Sequence, residues 1–353
     1  MRLNVLSVGY SLARVSEHTA GGAEQILLSL DKALTHSGHR SLVLAPVGSK
    51  CNGLLLPVQI PSGTLDESAK CEARRLFRHA LVRALQQYSP DVVHMHGIDF
   101  FDYLPEVPIP VIVTLHLPLS WYQPEALCLS RPSTFLIGVS ESQARTAPRR
   151  TNIDRVIQNG VNLENFHPAR KCGDYVLLMG RICPEKGTHL AMDAASEACT
   201  KLVIAGSVFA YPEHQSYFES MVRPRLGPDA VFVGAIGGMH KADLLASAKC
   251  LLIPSTAPET SSLIAMEALA SGTPVIAMRS GALSEIIEDH KTGFLVRSAS
   301  EMADAIKQVH VISPEACRQE AEARFSARGM VTQYLDLYRA VAVGKHLPEL
   351  QAA

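Results

Sequence analysis

Tyr175-Val-Leu-Leu-Met-Gly-Arg-Ile-Cys-Pro-Glu-Lys-Gly187 is a short apolar run closed by a glycine, then a loop carrying two cations, then a second glycine that opens a helical pattern. Such a run bounded by turn signals suits a strand covered on both faces. A strand that passes through a short loop into a helix is the repeating unit of a parallel α/β sheet. The unit recurs on both sides of this stretch. Downstream, strands are expected over 201–205, 230–233, 250–253, 275–277 and 294–296. Upstream, a strand over 4–8 leads through a loop holding Gly21-Gly22 into a helix over about 24–37 that ends at Gly38. Further strands are expected over 41–45, 92–94, 111–115, 135–139 and 155–157, and a long helix over about 67–87.

Two α/β halves therefore stand in one chain, in keeping with 353 residues, more than one hydrophobic core usually serves. The expected linker lies at 165–174, where Pro168, Gly173 and basic residues interrupt the apolar pattern. Hydrophobic residues make up 47% of the chain and charged residues 19%, enough for sizeable cores, and a net charge of -1 speaks against a general nucleic-acid binder. The eight cysteines include no Cys-x-x-Cys pair and read as reduced thiols of a cytoplasmic protein. The first apolar run reaches a glycine too soon for a signal peptide or a membrane span.

Open parallel sheets bind ligands beyond the carboxyl ends of their strands, so two such halves facing one another imply a cleft with its chemistry in those loops. Arg181 and Lys186 lie between a strand and a helix, where a diphosphate would also meet free backbone N–H groups. The alternative is a solvated Arg and Lys on an ordinary loop. Gly21-Gly22 lets backbone approach a ligand closely, yet it lacks the dinucleotide fingerprint and equally suits a plain turn.

The segment Glu259-Thr-Ser-Ser-Leu-Ile-Ala-Met-Glu267 places one carboxylate alone in the apolar run 263–270. A buried charge needs a partner, and the run supplies none. Ser261 or Ser262 is expected to cap the helix that carries Glu267 in its second turn. Carboxylates accept well from hydroxyls, so a sugar and a ribose are sensible partners; a buried ion pair with a distant basic residue is the competing reading.

Glu259-x7-Glu267 followed by Ala268-Leu-Ala-Ser-Gly-Thr-Pro-Val-Ile276 resembles the hallmark of the retaining nucleotide-sugar glycosyltransferases of family 4. Gly21-Gly22-Ala-Glu24, Asp91-Val-Val-His-Met-His96, Thr114-Leu-His116, Gln158-Asn-Gly-Val161, Gly180-Arg181 with Lys186-Gly187, and Gly281 to Glu285 are similar to that family's motifs, in its order. The resemblance implies the GT-B fold: two facing Rossmann-like domains with parallel sheets and a cleft between them. The boundaries expected are an acceptor domain over 1–166, a donor domain over 167–325, and a C-terminal helix over 326–353 crossing back to the first.

What the resemblance implies for the site is a division of labour. Arg181 and Lys186 hold the donor diphosphate, Glu267 the ribose hydroxyls, and Glu259 hydroxyls of the transferred sugar. Main-chain groups at Ser262 and Leu263 contact phosphate and sugar, with Gly21-Gly22 approaching from the other domain. His116 contacts the sugar and joins Glu259, Arg181 and Lys186 in the catalytic set, and His96 lies near the acceptor. Trp121, the only tryptophan, offers a ring to a carbohydrate acceptor, although it and Tyr122 equally suit loop anchors. Thr260-Ser261-Ser262 stands where many members carry Pro-Phe-Gly, which alters the phosphate-facing backbone.

No Asp-x-Asp triplet occurs, and Arg, Lys and a helix dipole suffice for the diphosphate, so neither a metal nor a cofactor is expected. This reading sets His94 and His96 on alternate faces of a strand and assigns His94 to the core. The expected partners are a nucleotide-sugar donor, with UDP-sugar favoured, and a carbohydrate or lipid-linked acceptor. The long helix has a basic side with Lys70, Arg74, Arg75, Arg78 and Arg83 that suits peripheral membrane contact, or simply water. A nucleotide-sugar 2-epimerase and a non-catalytic sugar-nucleotide binding protein are the rival functions.

Overall fold

The computed structural model describes residues 2–344 apart from 17, 18, 20, 62, 64, 65 and 169–172. Part of the expected linker, and the end of the expected C-terminal segment, lie outside the described residues. The chain divides into two compact units, one of Met1–Asn159 with the segment from Gly329 onward, the other of Gly160–Arg328.

The first unit runs β1 (Asn4–Val8), α1 (Gly22–His36), β2 (Arg40–Pro46), β3 (Leu54–Val58), α2 (Glu67–Tyr88), β4 (Val92–Met95), β5 (Val111–Leu115), β6 (Thr134–Gly138), α3 (Glu141–Ala144) and β7 (Arg155–Val156). All pairings are parallel, in the order β3-β2-β1-β4-β5-β6-β7. β3 was not among the expected strands. It contains Pro57, which cannot donate to a ladder and is tolerated because β3 is an edge strand.

α2 forms as its sequence dictates. Asp66 accepts from Ala69 N at 2.8 Å to cap it, and Ala73, Phe77, Ala80, Leu81 and Ala84 make a buried stripe at helical spacing. On its basic side Lys70 pairs with Glu67, Arg75 with Glu72 and Arg74 with Asp102. These three cations are engaged by neighbouring acids, the ordinary condition of a solvated helix face.

The second unit repeats the scheme with β8 (Tyr175–Met179), α4 (Thr188–Glu197), β9 (Lys201–Ala205), α5 (Pro212–Tyr217), β10 (Ala230–Gly234), α6 (Gly238–Ser247), β11 (Leu251–Ile253), α7 (Leu263–Ala270), β12 (Val275–Met278), α8 (Leu283–Ile286), β13 (Gly293–Val296), α9 (Ala299–Gln308) and α10 (Pro314–Arg324). Its parallel sheet has the order β10-β9-β8-β11-β12-β13. In each sheet the winding reverses beside the first strand, between β1 and β4 and between β8 and β11. The loops leaving those strands are where an open α/β sheet places its ligand.

The last element is α11 (Ala327–Ala342). The sequence over about 314–341 reads as one helical pattern, but it is broken between α10 and α11, because Val161 N donates to Phe325 O and Ala327 N donates to Val161 O at 2.8 and 2.9 Å. A strand-like bridge from outside the pattern takes the backbone groups that a continuous helix would use. Tyr334 and Tyr338 of α11 are fully buried in the first unit's interior. Among the described residues, no helix is long and apolar enough to cross a membrane.

Candidate functional site

The loop after β8 is fixed by its backbone. Gly180 N donates to Ala205 O and Ile182 N to Ser207 O, at 3.0 and 2.9 Å. A turn at Pro184–Lys186 then ends at Gly187, whose φ of 62° is left-handed. A Cβ there would collide with the Pro254 carbonyl, so glycine serves both conformation and approach. This holds Lys186 against the loop after β11: its Nζ lies 2.5 Å from Glu259 Oε1, and Ser255 Oγ donates to the same oxygen. The Glu259 side chain is 10% exposed. Its carbonyl accepts from Ala282 N at 2.7 Å, and Gly281, with φ +55°, fits against the Glu259 backbone where a Cβ would not.

Glu267 is buried in α7, and its partner comes from α6. Lys241 Nζ donates to Oε1 at 2.6 Å and stands 2.5 Å from Oε2. Oε2 is within ion-pair distance yet has no well-directed hydrogen bond, and is left as a buried acceptor. Burial raises the carboxyl above its ordinary value of 4.5, against the opposing pull of Lys241. The competing sequence reading, a buried ion pair, is therefore present here, with a lysine the sequence reading did not name. Its signal was only the carboxylate's need for some cation.

Ser262 occupies the N-cap of α7 as expected, but its hydroxyl makes no cap bond. The expectation of a serine side-chain cap is corrected: Ser262 is extended, at φ -134° and ψ 92°, and Ser261 Oγ is buried without a partner. Leu263 begins a helix whose first N–H groups are left to something other than a side-chain cap. Arg181 is half-buried, with its guanidinium 5.9 Å from the Phe209 ring centre. Arg181, Lys186, Glu259, Ser262, Leu263 and Glu267 thus all sit in the loops and helix starts at the carboxyl ends of β8 and β11.

In the first unit Gly21 is the N-cap of α1 and Gly22 its first residue. A Cβ on Gly21 would collide with the Glu24 carboxylate, which folds back over the helix start. His96 and His116 each follow a strand, β4 and β5, and pair through Nδ1 and Nε2 at 3.0 Å. His94 joins Tyr338 OH and Thr114 Oγ1, each at 2.7 Å, and Thr114 joins Tyr334 OH at 2.9 Å.

The expectation that His94 and His96 point to opposite faces fails. Residues two apart on a strand share a face, and the two ring centres are 4.0 Å apart. His94 is nevertheless a core residue with both nitrogens engaged. Burial holds His94 and His96 well below 6.5 and His116 down to about 3, so all three are neutral at physiological pH and act as hydrogen-bond groups. His96 Nε2 is buried without a partner.

One consequence is measurable. A histidine whose folded pKa is depressed costs stability as pH falls below its unfolded value of about 6.5, because the unfolded chain takes up the proton. His94→Gln is expected to lower the proton uptake on acid unfolding by about one, read from the pH dependence of urea midpoints. An unchanged slope would mean that His94 is not held neutral.

Trp121 is 43% exposed, whereas Tyr122 is 5% exposed and accepts from Leu117 N at 3.3 Å. Of the two rings, Tyr122 is the anchor and Trp121 the presented one. A further carboxylate went unnoticed in the sequence. Asp99, just past β4, is buried and bonded by Ser11 and by Tyr103 OH, the latter at 2.6 Å. Burial raises its carboxyl.

Comparison with known proteins gives two family matches, Glycosyltransferase Family 4 over residues 20–165 and Glycosyl transferases group 1 over 173–310. The two halves of the chain thus carry glycosyltransferase domains, the first of the family 4 type and the second of the group 1 type. Among curated relatives, a GDP-mannose-dependent alpha-(1-6)-phosphatidylinositol dimannoside mannosyltransferase of Mycobacterium tuberculosis is 33% identical over 47% of this chain and 45% of that protein. The chain thus spans about half the length of that relative. A phosphatidyl-myo-inositol mannosyltransferase of Mycobacterium leprae is 24% identical over 91% of this chain and 94% of that protein.

Among solved structures, a sucrose-phosphate synthase from Thermosynechococcus elongatus superposes with a TM-score of 0.81 at 20% identity, covering 97% of this chain and 100% of that one. Anabaena HepE in complex with UDP-glucose gives 0.74 at 19% identity, covering 96% and 100%. These likenesses show the GT-B fold.

Proposed function

We propose that this chain transfers a sugar from a nucleotide diphosphate sugar, with retention and without a metal, to a carbohydrate or lipid-linked acceptor. The observation that carries the reading is the grouping at the carboxyl ends of β8 and β11: Lys186 on Glu259, an under-bonded carboxylate on Glu267, and a helix start without a side-chain cap. A diphosphate meets cations and free N–H groups there, and the sugar and ribose hydroxyls meet the two carboxylates.

In this reading Arg181 and Lys186 neutralise the charge that grows on the diphosphate as the glycosidic bond breaks. The departing diphosphate oxygen takes the proton of the acceptor hydroxyl, and the new bond forms on the face the diphosphate leaves. Glu267 orients the ribose and Glu259 the sugar. Main-chain groups at Ser262 and Leu263 serve phosphate and sugar. Gly21-Gly22 contributes donor contacts, His116 a neutral hydrogen-bond group for the sugar, and His96 and Trp121 an acceptor surface. Uridine is the donor base favoured in this reading. The mycobacterial relative is named for GDP-mannose and HepE was solved with UDP-glucose, so both bases belong in the test.

Unfolding should be followed with uridine, guanosine, adenosine and thymidine diphosphates. The proper base at about 100 times its dissociation constant stabilises the protein by about 2.7 kcal/mol. Labelled UDP- and GDP-sugars with an acceptor panel then yield a transferred sugar with retained anomeric configuration. Donor epimerisation, tight binding with no transfer, or inversion at the anomeric carbon would each overturn the proposal.

A further inference from the structure

We propose that Cys183, Glu185 and His214 form a binding site for a thiophilic divalent cation of the zinc type, separate from the groups assigned to the donor. One ligand atom from each lies within 4.8 Å of the other two, and among the described residues no other His, Cys, Asp or Glu group of three or more has this spacing. Cys183 precedes the turn Pro184–Lys186, Glu185 lies within it, and His214 belongs to α5. The site therefore ties the loop after β8 to the helix after β9.

Two observations point to a ligand. Glu185 Oε2 and His214 Nδ1 are buried and have no hydrogen-bond partner, and a buried polar atom that nothing meets is destabilising. His214 is 9% exposed and Cys183 fully buried, so water is largely kept from both. The rings of Phe209 and Tyr211 pack on His214, with centres 6.2 and 5.2 Å away, and restrict its rotation. A thiolate, an imidazole and a carboxylate are a donor set zinc accepts, with water in the fourth position.

In the metal-free protein burial pushes the Cys183 thiol up to about 11. It binds as a thiolate, so its proton leaves to water as the cation enters. A thiol simply bonded to Glu185 accounts for the sulfur but leaves His214 Nδ1 and Glu185 Oε2 unexplained. The same loop carries Arg181 and Lys186. A bound cation would stiffen the loop and place positive charge near Arg181; that consequence rests on the donor reading above, and the site itself does not.

The test is a titration of the chelator-treated full-length protein with cobalt(II). Stoichiometric binding should produce a thiolate-to-cobalt charge-transfer band that zinc then removes. Cys183→Ser should abolish the band, and Glu185→Gln and His214→Gln should each weaken cobalt binding by about 10-fold or more. Circular dichroism identifies any variant that fails to fold, and the remaining variants then decide. No band in the parent protein, a band that survives Cys183→Ser, or binding unaffected by both glutamine variants would overturn the proposal. None of these readouts involves sugar transfer, so a silent donor site does not obscure the result.

Discussion

Alanine at Lys186 is expected to lower kcat/KM for sugar transfer by about 100-fold, the scale on which a pre-positioned charge-stabilising donor acts. Alanine at Glu259 should do comparable damage. The two losses should not multiply, because the ammonium and the carboxylate are 2.5 Å apart. Under the proposed function Lys186 would do two things at once: face the leaving diphosphate and fix the carboxylate that addresses the sugar. Once either is gone, part of the other's contribution has gone too, and contacting pairs of this kind carry coupling energies of about 0.5–3 kcal/mol. Ser255→Ala removes the second donor to the same oxygen and should fall between parent and Lys186→Ala. Steady-state rates with the donor varied, on variants with unchanged circular dichroism, decide the matter. Parent-like transfer by both single variants would dismiss the site assignment, and strictly multiplicative losses would dismiss the shared role.

Lys241→Met should cost about 3 kcal/mol of stability at neutral pH, since removing one partner leaves the other charge buried alone. The Glu267 side chain is 7% exposed against 18% for Lys241, so the stranded carboxylate is the worse outcome, and Glu267→Gln should cost less. The pH dependence carries the sign. An acid whose folded pKa lies above its unfolded value binds more protons in the native state between the two, and stability falls as pH rises through that window.

Glu267 already has a raised pKa with Lys241 beside it, and without Lys241 the window extends upward. The Lys241→Met protein should therefore approach the parent near pH 4.5, the ordinary value of the carboxyl, and diverge from it toward alkaline pH. Combining Lys241→Met with Glu267→Gln should recover most of the loss. Urea unfolding across pH measures all three variants. A Lys241→Met protein as stable as the parent in mild alkali would show that the carboxylate does not depend on this cation.

Two strands of the second unit were legible because they are largely covered on both faces: Tyr175–Met179 and the four residues after Lys201 are apolar runs, and they become β8 and β9 without adjustment. Local pattern fails where distant backbone competes for hydrogen bonds. The break between α10 and α11 is set by Val161, far away in sequence, and no residue of the helical pattern announces it. The site shows the same limit. Glu267's demand for a cation could be read from its apolar neighbours, but the answer, Lys241, lies 26 residues away on another helix. Ser262 was placed at the helix start by its position, yet whether its hydroxyl turns inward depends on the path of the loop before it. The pairing of Lys186 with Glu259 spans 73 residues and was invisible until the two loops met.

The hydroxyls of Tyr334 and Tyr338 meet Thr114 and His94 across 220 and 244 residues of chain. A ribosome makes the strands of the first unit, then the whole second unit, and only afterwards the helix bearing these tyrosines. Until that helix is released, the His94 and Thr114 groups that end up buried lack their final partners, and the interior face that α11 covers stands open. Order of synthesis and order of completion are thereby reversed: the unit whose strands emerge first is the one that must wait for a helix made after the whole of the other unit.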